Sequence, residues 1–153
     1  MHRIGGIEKE EGTGNINYSP ENHELMTHIR ADKVAGIARD IPRVEVEGDP
    51  DADVLVLGWG STWGPISEAA RRVRASGRKL ANAHLVHLNP FPANLGEVVG
   101  GYRKVLVPEM NLGQLAKLVR AEFLVDARSL TKVQGLAFSA AEIESELLEM
   151  IDA

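Results

Sequence analysis

Val54-Leu55-Val56-Leu57 is an unbroken apolar run, and it limits the architectures open to this chain. A strand with one wet face alternates apolar and polar residues, so a continuous run of β-formers asks for cover on both faces. The residues that follow supply such cover. Gly58-Trp59-Gly60-Ser61-Thr62-Trp63-Gly64 reads as a turn, and Pro65 opens a helix whose Ile66, Ala69, Ala70 and Val73 fall at i, i+3, i+4 and i+7. Gly77 stops it.

The alternation then repeats. A second strand is predicted over 79–88, broken by Asn89-Pro90-Phe91-Pro92, and a short helix near 94–100 leads to the strand Val105-Leu106-Val107. Asn111, with Gln114 three residues on, resembles a capping box and predicts a helix bearing Leu112, Leu115, Ala116, Val119 and Phe123. A further strand is expected within 125–134. Ser139 and Glu142 form a second capping box, ahead of Ile143, Leu147 and Ile151. Strands alternating with helices predict an α/β domain over 51–153, an open and mostly parallel sheet between helices.

Residues 1–50 read differently, as an arm, a linker helix and an edge strand. The first 20 are polar and glycine-rich, an extended loop or hairpin arm. Ser19 as N-cap and Pro20 at the first helical position begin a helix with Leu25, Met26, Ile29, Val34 and Ile37 on a broad face, ended by Pro42. Arg43-Val44-Glu45-Val46-Glu47 alternates as a half-exposed strand does.

The 153 residues suffice to bury a core without staples. The chain has no Cys, which excludes disulfides, thiolate metal sites and cysteine-ligated clusters within it. Met1-His2-Arg3-Ile4-Gly5-Gly6 lacks the apolar core of a signal peptide, and no apolar run reaches membrane-spanning length, so a cytoplasmic address without a membrane partner is expected. Net charge is −5; residues 1–50 carry 6 basic and 10 acidic side chains, the remaining 103 carry 11 and 12. With only seven aromatic residues besides, no nucleic-acid partner is expected.

Ligands of open α/β sheets sit at the carboxyl ends of the strands. The candidate ligand or interface residues there are Gly58, Gly60, Ser61, Thr62, Asn89, Glu109, Asn111 and Gln114. Gly58 and Gly60 begin a dinucleotide fingerprint, but Gly64 comes one place late, Pro65 removes an amide donor, and no acid ends the second strand. The loop reads either as a tight turn or as an anion site formed by its amides with Ser61 and Thr62. His84 and His87 are spaced to opposite faces of a strand, so no metal site is assigned. Glu109 stands where a catalytic carboxylate stands, or accepts bonds from neighbouring loop amides, or meets a partner. Neither a nucleophile elbow nor a following His supports a triad, and no catalytic residue is assigned. Arg71, Arg72, Arg74, Arg78 and Lys79 form a basic face; Glu142, Glu144, Glu146, Glu149 and Asp152 form an acidic one. These read as solvated helix faces or as docking surfaces of opposite sign.

Four strings carry a resemblance: Asp53–Thr62, Leu88-Asn89-Pro90-Phe91-Pro92, Val107-Pro108-Glu109-Met110-Asn111-Leu112-Gly113-Gln114-Leu115, and Lys132-Val133-Gln134-Gly135. With Gly5–Glu8 and Tyr18–His23, they resemble the C-terminal part of the alpha subunit of 2-oxoacid:ferredoxin oxidoreductases, most of all the 2-oxoglutarate type. The resemblance spans nearly the whole chain. It implies a transketolase C-terminal-like domain, a three-layer α/β/α sandwich of about five strands with one usually antiparallel.

It also implies membership of an enzyme that decarboxylates a 2-oxoacid to an acyl-CoA and reduces ferredoxin. Thiamine diphosphate, Mg²⁺ and an iron–sulfur cluster would belong to the parent complex, none of them held by this chain alone. The partners implied are an upstream pyrimidine-binding domain, a beta subunit, ferredoxin and coenzyme A. The chain is then an assembly domain, inactive by itself. The competing readings are a stand-alone nucleotide- or anion-binding α/β module and a structural homodimer.

Overall fold

The computed structural model of the chain describes residues 6–153. Met1–Gly5, where the absent leader core and the first residue of the Gly5–Glu8 string were read, lie outside the described residues. The chain forms two units. One comprises the described residues up to Ile41 with Asn89–Phe91, the other Pro42–Leu88 with Pro92–Ala153.

In the smaller unit, β1 (Glu8–Lys9) pairs antiparallel with β2 (Ile16–Asn17), so the described part of the polar arm contains a hairpin. Ser19 caps α1 (Pro20–Gly36), its Oγ accepting from the Asn22 N–H at 3.3 Å. Asn22 Nδ2 donates to the Lys9 carbonyl at 3.1 Å and Arg30 donates to Glu8 at 2.6 Å, tying helix to hairpin. Glu8 is held below the usual carboxylate range, first by the Lys9 N–H and then by Arg30. The α-helix stops at Gly36, followed by a 3₁₀ turn over Ile37–Arg39. It buries none of its residues; Leu25, Val34 and Ile37 of the broad apolar face stand exposed.

The larger unit is built on five strands in the order β3-β5-β4-β6-β7: β3 (Val46–Gly48), β4 (Val54–Trp59), β5 (Ala81–Leu85), β6 (Lys104–Glu109) and β7 (Ala127–Thr131). All neighbours are parallel except β3, which runs antiparallel along β5 at one edge. Residues 54 to 57 are all buried because each parity faces a helical layer. Val54, Val56 and Leu106 pack against α2 (Trp63–Ala75) and α5 (Ala140–Asp152), through Ile66, Ala69, Ala70, Val73, Ile143, Leu147 and Met150. On the other face α3 (Leu95–Gly100) and α4 (Gln114–Phe123) bury Leu95, Val99, Leu115, Ala116 and Val119. The result is the three-layer α/β/α sandwich expected.

Several boundaries differ from the sequence reading. β4 runs two residues into the glycine turn, and α2 begins at Trp63 rather than at Pro65, after a 3₁₀ turn over Gly60–Thr62. The expected strand at 43–47 is displaced to Val46–Gly48 because Asn94 claims Val44. Its Oδ1 accepts from the Val44 N–H at 2.8 Å and its Nδ2 donates to the Val44 carbonyl at 2.9 Å, so a side chain occupies the place of a neighbouring strand. Asn111 does not open α4. Gly113 is the residue before the helix, in the left-handed region at φ +78°, and a Cβ there would lie 2.8 Å from Ser129 Oγ.

The basic and acidic helix faces meet each other. Arg72 lies 3.5 Å from Glu144, and Arg78 donates to both oxygens of Asp152 at 3.2 and 3.1 Å. Arg128 and Lys132 take Glu146 and Glu142. α2 and α5 pack side by side on one face of the sheet, so these charges are matched inside the domain.

Candidate functional site

The chain leaves β4 through α2 to reach β5 on one side, then crosses to β6 on the other. The loops after β4 and β6 therefore diverge, and such a switch point opens a crevice at the strand ends. A cavity of about 270 Å³ lies there, lined by Trp59, Gly60, Ser61, Thr62, Met110, Asn111 and Gln114. Gly60, Ser61, Thr62, Asn111 and Gln114 of the candidate residues come together in it. Trp59 and Met110 join them without having been singled out; their only signal in the sequence is adjacency to those loops.

Gly58 lies beneath the crevice, in β4. A Cβ on it would meet Ile66 Cδ1 at 2.6 Å, His84 Nδ1 at 2.9 Å and Thr62 Oγ1 at 3.2 Å, so a glycine is needed for close packing of strand and helix. Asn89 belongs to the smaller unit. Glu109 is fully buried at the end of β6 and does not reach the cavity wall. Its Oε1 accepts from the Leu115 N–H at 2.7 Å and Asn111 Nδ2 at 3.3 Å, its Oε2 from the Ala116 N–H at 3.1 Å and Ser129 Oγ at 3.5 Å. A carboxylate at a helix N-terminus satisfies donors that the helix leaves unpaired and complements its dipole.

Most of the crevice's polar groups are likewise engaged locally. Thr62 Oγ1 accepts from the Trp59 N–H at 3.1 Å and donates to the Trp59 carbonyl at 2.8 Å, closing the 3₁₀ turn. Asn111 Oδ1 accepts from Gly113 N–H at 2.8 Å and Gln114 N–H at 3.0 Å. Ser61 Oγ reaches Met110 Sδ at 3.8 Å, bridging the two loops. No acid, base or charged side chain lines the cavity. The cavity offers only neutral oxygen donors, the Ser61 and Thr62 hydroxyls and the Asn111 and Gln114 carboxamides, with no carboxylate to balance the charge of a magnesium ion. The chain without Cys likewise has no thiolates for an iron–sulfur cluster.

His84 and His87 line a different cavity, of about 340 Å³, with Trp63, Glu45 and Glu47. His84 Nδ1 is buried without a hydrogen-bond partner among the described residues. Burial pushes the imidazole pKa down, opposed by an interaction with the Gly60 backbone. No group of three metal-binding side chains assembles among the described residues.

Residues 52–143 match the family described as pyruvate:ferredoxin oxidoreductase core domain II. The chain belongs to that family. It is 56% identical over 144 residues to the 2-oxoglutarate oxidoreductase subunit KorA of Mycobacterium tuberculosis, covering 93% of this chain and 22% of that protein. The 2-oxoglutarate:ferredoxin oxidoreductase of Magnetococcus marinus, solved with 2-oxoglutarate, coenzyme A and succinyl-CoA bound, superposes with a TM-score of 0.86 at 37% identity. That match covers 94% of this chain and 26% of the other. A split-gene transketolase, 20% identical over 72% of this chain with a TM-score of 0.56, shares the fold. The present chain thus spans about a quarter of the length of these two oxidoreductase chains.

Proposed function

We propose that this chain serves as the core domain II of a 2-oxoglutarate:ferredoxin oxidoreductase alpha subunit, an assembly domain without turnover of its own. The enzyme it belongs to would oxidatively decarboxylate 2-oxoglutarate to the corresponding acyl-CoA and pass the electrons to ferredoxin. The observation that carries this reading is the 56% identity, across 93% of the chain, to a 2-oxoglutarate oxidoreductase subunit. The crevice is lined by neutral side chains, Ser61, Thr62, Asn111 and Gln114 among them, and we assign the reacting groups to the rest of the assembly.

The smaller unit supports an assembly role. α1 buries nothing, and Ile7, Tyr18, Leu25, Val34 and Ile37 are exposed apolar side chains on a short segment. Such a surface calls for cover by a neighbouring domain or subunit. Thiamine diphosphate, Mg²⁺ and the iron–sulfur cluster are assigned to the upstream domain and the beta subunit, and ferredoxin and coenzyme A to the whole complex. Among the described residues no helix is long and apolar enough to cross a membrane, and a cytoplasmic enzyme is proposed.

The test is to purify the native polypeptide bearing this sequence, with whatever accompanies it, and measure its intact mass and its 2-oxoglutarate-dependent reduction of ferredoxin. The expected result is activity in a cluster-bearing complex and none from the 153-residue chain supplied with thiamine diphosphate, Mg²⁺ and coenzyme A. Turnover by the chain alone overturns the assembly role. A native 16.6 kDa chain without a cluster-bearing partner, stabilised against heat by a nucleotide or anion, replaces this reading with a stand-alone binding module.

A further inference from the structure

Beyond that role, the outer edge of the sheet carries a binding feature of its own. β7 is the terminal strand, paired only with β6. The Val105 N–H bonds the Asp126 carbonyl at 3.0 Å, and the Lys132 N–H bonds the Glu109 carbonyl at 3.0 Å. Residues 126, 128, 130 and 132 therefore turn their backbone groups inward to β6, and by the alternation of a strand 127, 129 and 131 turn theirs outward. Arg120 occupies the Ala127 carbonyl at 3.1 Å. The outward N–H and C=O of Ser129 and Thr131 have no hydrogen-bond partner among the described residues.

These groups open onto a groove of about 540 Å³. Lys117 and Arg120 of α4 line one wall, and Lys104 and Arg128 stand toward α5. Arg128 is paired with Glu146. Lys104 and Arg120 bond only carbonyls, those of Met150 and Ala127, and with Lys117 they meet no carboxylate among the described residues. With Asp126 the one acidic side chain in its lining against Lys104, Lys117, Arg120 and Arg128, the groove carries net positive charge on a chain whose net charge is −5. Leu112, 72% exposed, forms an apolar lip.

We propose that this groove receives an extended, acidic segment of another polypeptide, added along β7 as a sixth strand. Main-chain pairing to Ser129 and Thr131 supplies the adhesion, as in other strand additions to a free sheet edge. Side chains of the added strand alternate between the two walls, and acids on the α4 side meet Lys117 and Arg120, while on the α5 side Lys104 and the Glu146-paired Arg128 stand before an acidic helix. A second copy paired along β7 with its α4 on the same side would set Lys117 and Arg120 against their own counterparts.

The probe is a fluorescently labelled synthetic peptide of alternating glutamate and valine, titrated into the 153-residue chain by anisotropy, beside an otherwise identical lysine–valine peptide. Only the acidic peptide should bind, with slowed amide exchange at Ser129 and Thr131. Thr131→Pro removes an outward N–H that pairs with nothing in the free chain, a change tolerated on edge strands; it should abolish binding. Lys117→Glu, at a side chain with no ion-pair partner among the described residues, should weaken binding about tenfold or more. The inference is overturned if the acidic peptide fails to bind, if the basic peptide binds equally well, if Thr131→Pro binds as wild type while melting normally, or if the chain dimerises through β7. None of these outcomes depends on the oxidoreductase activity of the parent complex.

Discussion

The Oε1 of Glu109 accepts a hydrogen bond from the Leu115 N–H at 2.7 Å, fastening the end of β6 to the first turn of α4. The carboxylate that stood in the sequence as a catalytic candidate thus organises one wall of the switch-point crevice from beneath.

Glu109→Gln keeps the oxygen facing Leu115 but sets an amide NH₂ against the Ala116 N–H, 3.1 Å from the present Oε2. A buried donor left facing a donor costs about 1–3 kcal/mol. Urea unfolding should show a loss of that size with an unchanged slope.

Gly58→Ala tests the close approach under the crevice. Its Cβ would press on Ile66, His84 Nδ1 and Thr62 Oγ1, all within 3.2 Å. Overpacking of this kind costs about 1–3 kcal/mol. Thermal unfolding should record the loss, with near-ultraviolet circular dichroism reporting a disturbed Trp59 and Trp63.

Leu147→Ala opens a cavity where α5 meets the sheet, because Leu147 is fully buried in the cluster with Val54, Val56 and Leu106. The expected loss is about 2–5 kcal/mol. Lys117→Ala, on an exposed position of α4, should leave stability within about 0.5 kcal/mol in the same assay.

Acid should weaken the start of α5. The Lys132 side chain and then the Ser139 backbone N–H bring Glu142 down from an ordinary 4.5 to about 2. Because the folded-state pKa is depressed, the carboxylate's contribution is fully present above 4.5 and is lost as pH falls toward 2. Glu142→Gln should therefore melt below wild type at neutral pH, and the gap should close on acidification through that window. A gap independent of pH would remove the carboxylate from the capping box.

Much of the fold was legible because its signals are local. Ile66, Ala69, Ala70 and Val73 became the buried stripe of α2, and the Ser139–Glu142 box was found as read, with Ser139 N–H to Glu142 at 2.7 Å. Both follow from helix geometry within one turn. The start of α4 was misread for a physical reason. Asn111 does bond the Gln114 N–H, but with Gly113 left-handed the bond closes a turn ahead of the helix. Nothing in spacing alone separates a cap from such a turn.

What the sequence by itself determined is the alternation of buried strands and amphipathic helices, and with it the three layers, since a run such as Val54–Leu57 can be covered in no other way once helices flank it. Its loop strings also carried the family resemblance. Only the tertiary structure decided which loops share a crevice, because strand order brings Ser61 to Met110 across 49 residues of chain. It likewise turned two charged faces into matched partners, Arg78 against Asp152 over 74 residues, and left β7 rather than β4 at the edge. Contacts of that range depend on how the sheet is ordered, and no periodicity along the chain records the order of strands.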